Sequence, residues 1–188
     1  MPVPKVLVGK VIVVGPASVG KTCLVRRFVD DVFDANTQST LGCDSKEKTL
    51  NVTAEPIKLI LYDTAGQERF AQLAGNYYRQ ADICLLCFDL SNSTSFDQIK
   101  WWQNQVAQHN ERAEFVLVGT KQDLAPKLDV SFARRYANEN VAVGVADLIA
   151  LDLLLEIDTI ERHGSSANHH EAENERFEEL HMEFVGRY

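Results

Sequence analysis

Gly15-Pro16-Ala17-Ser18-Val19-Gly20-Lys21-Thr22 fits the pattern GxxxxGK[ST] with no mismatch. The chemistry of such a loop is phosphate binding. Gly15 and Gly20 let the backbone curl until the N–H groups of Ala17, Ser18 and Val19 point into one concavity. The helix after it, opening on Lys21, Thr22 and Cys23, aims its positive dipole end at the same place. Lys21 can reach β- and γ-phosphates, and the Thr22 hydroxyl can ligate Mg²⁺.

A second group, Asp63-Thr64-Ala65-Gly66-Gln67-Glu68, comes after the apolar segment Lys58–Tyr62. A carboxylate at Asp63 can hold Mg²⁺ through a water, since that ion keeps much of its hydration. The Gly66 N–H can approach a γ-phosphate closely. Gln67 is uncharged, carries both donor and acceptor, and can orient a water for in-line attack. A third group is Gly119-Thr120-Lys121-Gln122-Asp123. The Asp123 carboxylate can accept from N1–H and the 2-amino group of guanine, whereas adenine offers neither donor. Rejecting adenine then rests on charge-assisted bonds worth roughly 1.5–3 kcal/mol each. The Lys121 stem can lie along the base.

These groups need strand ends to bring them together. Residues 5–14 read as a first strand and Lys21–Val29 as a first helix. Residues 43–52 and 56–62 read as an antiparallel pair, because the turn Thr53-Ala54-Glu55 is short. Helices are predicted over 68–79, Ser95–His109, Ser131–Asn140 and Leu148–Arg162. Strands are predicted over 82–89, Phe115–Gly119 and Val141–Val145. Alternation of this kind predicts a mainly parallel sheet covered by helices, with ligands beyond the carboxyl ends of its strands. After Arg162 the composition turns polar and acidic, and a tail over 164–188 is expected to be flexible, with a short amphipathic helix through Phe177, Leu180 and Phe184.

The 188 residues suit one domain with a sizeable core, and 45% apolar content marks it as globular. A net charge of −8 argues against nucleic-acid binding and against unaided binding to anionic membranes. No apolar run approaches bilayer length. The cysteines are Cys23, Cys43, Cys84 and Cys87. Cys84 and Cys87 lie in one apolar strand, where positions three apart face opposite ways, so shared metal binding is disfavoured and reduced cytoplasmic thiols are expected.

Together these residues resemble the small GTPases of the Ras superfamily, and most of all its Rab members. The resemblance runs from Lys5 to Asp123. Its family-specific marks are Lys58-Leu59 before Tyr62–Phe70, then Tyr77-Tyr78-Arg79-Gln80-Ala81-Asp82, then Phe88-Asp89-Leu90 with Ser95-Phe96. It implies a three-layer α/β P-loop NTPase fold: a six-stranded, mainly parallel sheet with one antiparallel strand, flanked by about five helices, over residues 1–163. It implies a switch that binds GTP or GDP with Mg²⁺ and acts in vesicle traffic. Lys21, Thr22, Thr40, Asp63, Gly66 and Gln67 would form the hydrolytic centre, with Thr22, Thr40 and Asp63 around the metal. Phe33, Thr120, Lys121 and Asp123 would hold the guanine. No arginine lies between Phe33 and Thr40, so no arginine finger is expected in cis, and hydrolysis should be slow without an activating partner. Exchange factors, activating proteins and effectors are the implied partners of a monomer.

The chain departs from the family in several places. Ala17 and Ser18 stand where Ser and Gly are common, and Thr120 replaces Asn. Ser45 and Tyr62 stand where Phe and Trp usually join Tyr77 in an effector-reading triad, which implies a changed set of partners. The SAK loop that contacts guanine through its backbone is missing; Val145-Ala146-Asp147 is the stand-in, with Ala146 donating its N–H, and Ala150 is the alternative. Cys87 is the last cysteine, so no prenylation site and no intrinsic membrane anchor is seen, and membrane contact would come through a partner. These departures leave a second reading open, a nucleotide-binding scaffold without useful turnover.

Overall fold

The computed structural model describes residues 7–34, 36–51, 56–66, 75–124 and 128–140, and the backbone path of 143–147. All of these fall in the first of two units, Met1–Leu154; the second is Leu155–Tyr188. The expected helix Leu148–Arg162 and the tail 164–188 lie outside the described residues.

Six strands are β1 (Leu7–Val14), β2 (Cys43–Leu50), β3 (Ile57–Thr64), β4 (Ile83–Asp89), β5 (Glu114–Thr120) and β6 (Val143–Asp147). They form one sheet in the order β2-β3-β1-β4-β5-β6. Only β2 runs antiparallel, paired with β3 from Cys43↔Thr64 to Leu50↔Ile57. Described helices are α1 (Lys21–Asp30), the single turn α2 (Gly75–Tyr78), α3 (Ser93–Asp97), α4 (Ile99–Ala107) and α5 (Val130–Asn140).

The apolar runs of β1, β4 and β5 are buried on both faces, as parallel strands between helix layers must be. Ile12, Val14, Leu86, Phe88 and Leu117 pack with Tyr78, Phe96, Ile99, Trp102, Val106, Ala133 and Ala137 from α2 to α5. Phe96 sits at the centre of an aromatic group, edge-on to Phe88 at 5.0 Å and to Tyr136 at 5.2 Å. The alternate residues Val11 and Val13 point to the other face, where α1 contributes Leu24, Val25 and Phe28.

Two expectations need correcting, and a third is only partly described. The helix predicted over Ser95–His109 is two helices, parted at Gln98. Asn92 caps α3 by accepting from the Thr94 N–H, and the Ser95 hydroxyl donates toward Asn92 O at 2.6 Å and accepts from the Asp89 N–H at 2.9 Å. Those bonds fix the first turn of α3 to the end of β4. The last strand is displaced two residues, to Val143–Asp147 instead of Val141–Val145. Of the helix predicted over 68–79, the described part is helical only at Gly75–Tyr78, and 67–74 lie outside the described residues.

Strand register sets which residues share an edge of the sheet. Val13 pairs with Asp63, Val14 with Leu86, and Asp89 with Thr120. Gly15, Asp63, Asp89 and Thr120 therefore emerge along one edge, at the carboxyl ends of four neighbouring strands.

Candidate functional site

The phosphate-type loop leaves β1 in an abrupt turn. Gly15 has φ +142°, and a Cβ there would lie 2.2 Å from the Cys87 carbonyl oxygen of β4. Ser18 is in the left-handed region at φ +63° and exposed, and Gly20 at φ +97° forms the N-cap of α1. Ala17 is exposed, while Val19 is buried and anchors the loop to the core. Lys21 folds back beneath the loop. It is only 5% exposed, and its ammonium donates to Gly15 O at 2.8 Å and Pro16 O at 2.7 Å. Burial lowers its pKa to about 8, with Cys87 and Asp63 nearby partly opposing the shift.

Ser18 carries strain that glycine would not. Its side chain is exposed, and a left-handed non-glycine residue costs about 1–2 kcal/mol. Ser18→Gly is expected to raise stability by about 0.5–1 kcal/mol after the entropy of the freer glycine is subtracted. A higher urea midpoint with an unchanged slope is the readout.

Beside this loop three oxygens from separate elements meet. The Thr22 hydroxyl at the start of α1 donates to Asp63 Oδ2 at 2.6 Å. Thr40, from the loop before β2, places its hydroxyl 2.8 Å from that of Thr22 and donates to Asp63 Oδ2 at 3.2 Å. Neighbouring ligands of an octahedral Mg²⁺, each at about 2.0–2.1 Å, are roughly 2.9 Å apart. The two hydroxyls already have that spacing. Asp63 Oδ1 is buried without a hydrogen-bond partner among the described residues. Burial raises the Asp63 carboxyl above its usual range, against the bonds from Thr22 and Thr40 and the charge of Lys21. A buried carboxylate short of a partner, next to two hydroxyls at ligand spacing, fits a hard divalent cation. A cavity of about 450 Å³ opens beside the trio, between α1, the loop holding Thr40, and β2.

The end of β3 and the two residues after it close against neighbouring elements. The Thr64 hydroxyl donates to Val13 O at 2.7 Å, and Ala65 N–H to Gly42 O at 2.8 Å. Any Cβ at Gly66 would be 2.5 Å from Ala17 N, Lys21 Nζ and Pro16 O, so the Gly66 backbone lies directly on the loop. Gln67 lies outside the described residues.

The end of β5 joins the same construction. Thr120 is 2% exposed, and its hydroxyl lies 2.5 Å from Val19 O and 2.8 Å from Phe88 O. One proton serves two carbonyls, one in the phosphate-type loop and one in β4. Lys121 is next, in the left-handed region at φ +59°, and its carbonyl accepts from the Leu124 N–H at 3.1 Å. Asp123 is exposed at the tip of that turn. Phe33 is 69% exposed in the loop after α1. Cys23 faces the same loop, with its sulfur 3.6 Å from Asp34 O and from the Thr37 hydroxyl. Ala146 belongs to the last strand. It lies within β6 opposite Val118, two residues before Thr120, so it is a rung of the sheet and not part of a loop beyond it. Chain beyond that strand end begins at Leu148, outside the described residues, as does Ala150.

The Ras family model matches residues 10–151. The chain belongs to the Ras family of small GTPases, and within it is Rab-like. It is 40% identical over 152 residues to the Ras-related protein SEC4 of Candida albicans, covering 72% of each chain. It is 40% identical over 126 residues to human Ras-related protein Rab-30, covering 66% of this chain and 62% of that one. The GTP-binding protein YPTM1 of maize is 38% identical over 133 residues, 69% of this chain and 64% of its own.

One further feature of this Rab-like GTPase is hard to see in the sequence. Asp89 is visible there only as part of a family mark, though a carboxylate closing a buried strand is itself a signal. It is 6% exposed and accepts from Lys121 Nζ at 2.7 Å and from the Ser91 N–H and hydroxyl at 2.8 and 2.6 Å. Burial alone would raise its carboxyl; those bonds outweigh it and hold the group below the usual range. The altered aromatic triad is also in place. Tyr62 and Tyr77 rings lie 5.2 Å apart, and exposed Ser45 pairs with Tyr62 across β2 and β3. As to thiols, Cys84 and Cys87 are wholly buried, and burial pushes Cys87 up to about 12. Among the described residues no helix is long and apolar enough to cross a membrane.

Proposed function

We propose that this chain is a Rab-like switch that binds GTP and GDP with Mg²⁺, hydrolyses GTP slowly, and acts in vesicle traffic with exchange factors, activating proteins and effectors. The observation that carries the reading is the meeting of Thr22, Thr40 and Asp63 beside the loop that holds Lys21. When bound there, Mg²⁺ would supply positive charge to the β- and γ-phosphoryl oxygens. Thr22 and Thr40 would be its hydroxyl ligands and Asp63 its carboxylate partner. The backbone N–H groups from Ala17 to Cys23 and the Lys21 ammonium would bind the phosphates. Phe33, Lys121 and Asp123 would hold the base, with Thr120 tying their loop to the phosphate site. Gly66 would contact the γ-phosphate through its N–H, and Gln67 would orient the attacking water. Thr40 reaches the trio from a loop without helix or strand, so its place there is the natural two-state element of a switch.

We take residues 1–163 as the GTPase domain and 164–188 as a tail outside it. A cytoplasmic monomer that reaches membranes through a partner fits the acidic balance of the chain. The Tyr62–Tyr77 pair with Ser45 beside it would give this member its own effectors, since aromatic anchors dominate such surfaces.

The test is to release nucleotide from purified protein, identify it by chromatography, and follow GTP turnover after loading. Guanine nucleotide and slow turnover are expected. Adenine nucleotide, or no capture from excess GTP and Mg²⁺, would end the reading. Capture without any turnover would favour the scaffold. Gln67→Leu is expected to keep nucleotide affinity within about twofold and cut single-turnover hydrolysis about a hundredfold, the scale on which misplacing a reacting group acts. Unchanged turnover would remove Gln67 from that role.

A further inference from the structure

We propose that Asp89 is a positioning residue for the nucleotide base: it holds the Lys121 side chain at the base site and thereby slows nucleotide release. The inference rests on the guanine-nucleotide reading above and adds a residue to it. Asp89 closes β4 opposite Thr120 of β5, so its carboxylate lies beside the start of the Thr120–Asp123 turn. It is held from every side. Its N–H donates to the Ser95 hydroxyl, its carbonyl accepts from the Asn92 N–H at 3.0 Å, and its Oδ1 takes both the N–H and the hydroxyl of Ser91. Only Oδ2 is left to face outward, and it meets Lys121 Nζ at 2.7 Å.

Lys121 needs such a hold. Its left-handed backbone fixes where the side chain starts but not where four methylenes lead, and an unheld lysine samples many rotamers. An ammonium pinned to a rigid, nearly buried carboxylate has one path for its stem. Lys121 itself stands at the edge where the strand ends meet, next to Thr120, whose hydroxyl reaches the phosphate loop at Val19 O, and two residues before Asp123. The ordering is made before nucleotide arrives, which lowers what binding has to supply. Position along the base plane carries no information about the 2-amino group, so the effect is on residence and not on base choice.

The test measures release of GDP and of IDP, which lacks the 2-amino group, from full-length wild type, Asp89→Asn, Lys121→Met and the double variant. Asp89→Asn is expected to speed release of both nucleotides by the same factor, about tenfold, as loss of one charge-assisted bond implies. In the Lys121→Met background the same change should add less than about twofold, because its only target is gone. An equal acceleration in both backgrounds would show that Asp89 merely supports the fold, and would overturn the assignment, as would unchanged release. Ser91→Ala keeps the charge and loosens Oδ1; it should speed release about threefold, and no change there counts against the proposal even if Asp89→Asn does not fold. Wild-type protein that captures neither nucleotide would defeat the guanine reading itself, a result distinct from normal capture with Asp89 indifferent.

Discussion

Lys21→Met is expected to lose nucleotide capture while the nucleotide-free protein becomes more stable, by about 1–3 kcal/mol. The two effects have opposite sign because the ammonium is placed for a ligand and not for the fold. It is 5% exposed, and its hydrogen-bond partners are two neutral carbonyls, Gly15 O and Pro16 O, while the nearby Asp63 carboxylate offsets its burial only in part. The drop of its pKa to about 8 is the direct mark of a charge held where burial disfavours it. Met fills a similar volume without that cost. Two phosphates facing the ammonium would each form a charge-assisted bond worth roughly 1.5–3 kcal/mol. Losing both weakens binding by about 10²–10⁴-fold. Titration with a fluorescent guanine nucleotide reads the first effect, and urea unfolding of nucleotide-free protein reads the second. A variant that unfolds earlier than wild type would mean that the two carbonyls depend on the ammonium more than the core resents it.

How much of the molecule is legible in the chain depends on how locally each signal is written. The strand–loop–helix from Leu7 to Asp30 can be read outright, because four consecutive apolar residues, two glycines and a helical stripe are all within reach of one another. The antiparallel β2–β3 pair is equally open, since a link this short permits no crossover, although the strands end at Leu50 and begin at Ile57, leaving six residues between them where the sequence suggests three. Thr22, Thr40 and Asp63 can be named through the family pattern before their meeting is seen, and the sheet register then explains how Asp63 reaches α1. The break at Gln98 is hidden, because the apolar spacing of Phe96, Ile99 and Trp102 suits one helix and the contrary force is a Ser95 hydroxyl bound to the backbone of another element. Asp89 and Lys121 are 32 residues apart and become neighbours only through the β4–β5 pairing. The strain at Ser18 and the closeness of Gly66 to the loop leave only faint traces in one dimension, a serine where glycine is common and a glycine beside Asp63; their size is a three-dimensional fact. A contact made by a backbone N–H has no side-chain type to announce it, so Ala146 rests on position alone, and the structure places it within β6 opposite Val118.

Gly15→Ala should produce the largest loss of stability of any single change in the loop, about 4 kcal/mol or more, and with it the loss of nucleotide binding. Two costs add. The backbone at φ +142° is one that L side chains avoid, and the new methyl would lie 2.2 Å from Cys87 O, 3.1 Å from Cys87 C and 3.3 Å from Cys87 N. Those atoms cannot withdraw. Cys87 belongs to β4, which pairs with β1 on one side and β5 on the other and is buried from Cys84 to Asp89. Moving it would disturb Phe88, Asp89 and the hydrogen bond from Thr120 to Phe88 O. Gly42 provides the internal comparison. Its φ of +83° is also positive, but nothing lies within 4 Å of a Cβ there, so Gly42→Ala should cost only the backbone term, about 1 kcal/mol. For a chain of this length the difference should separate the two melting temperatures by about 10 °C. If the variants melted together, the close approach of the loop to β4 would be wrong, and with it the placement of the phosphate site against the carboxyl end of that strand.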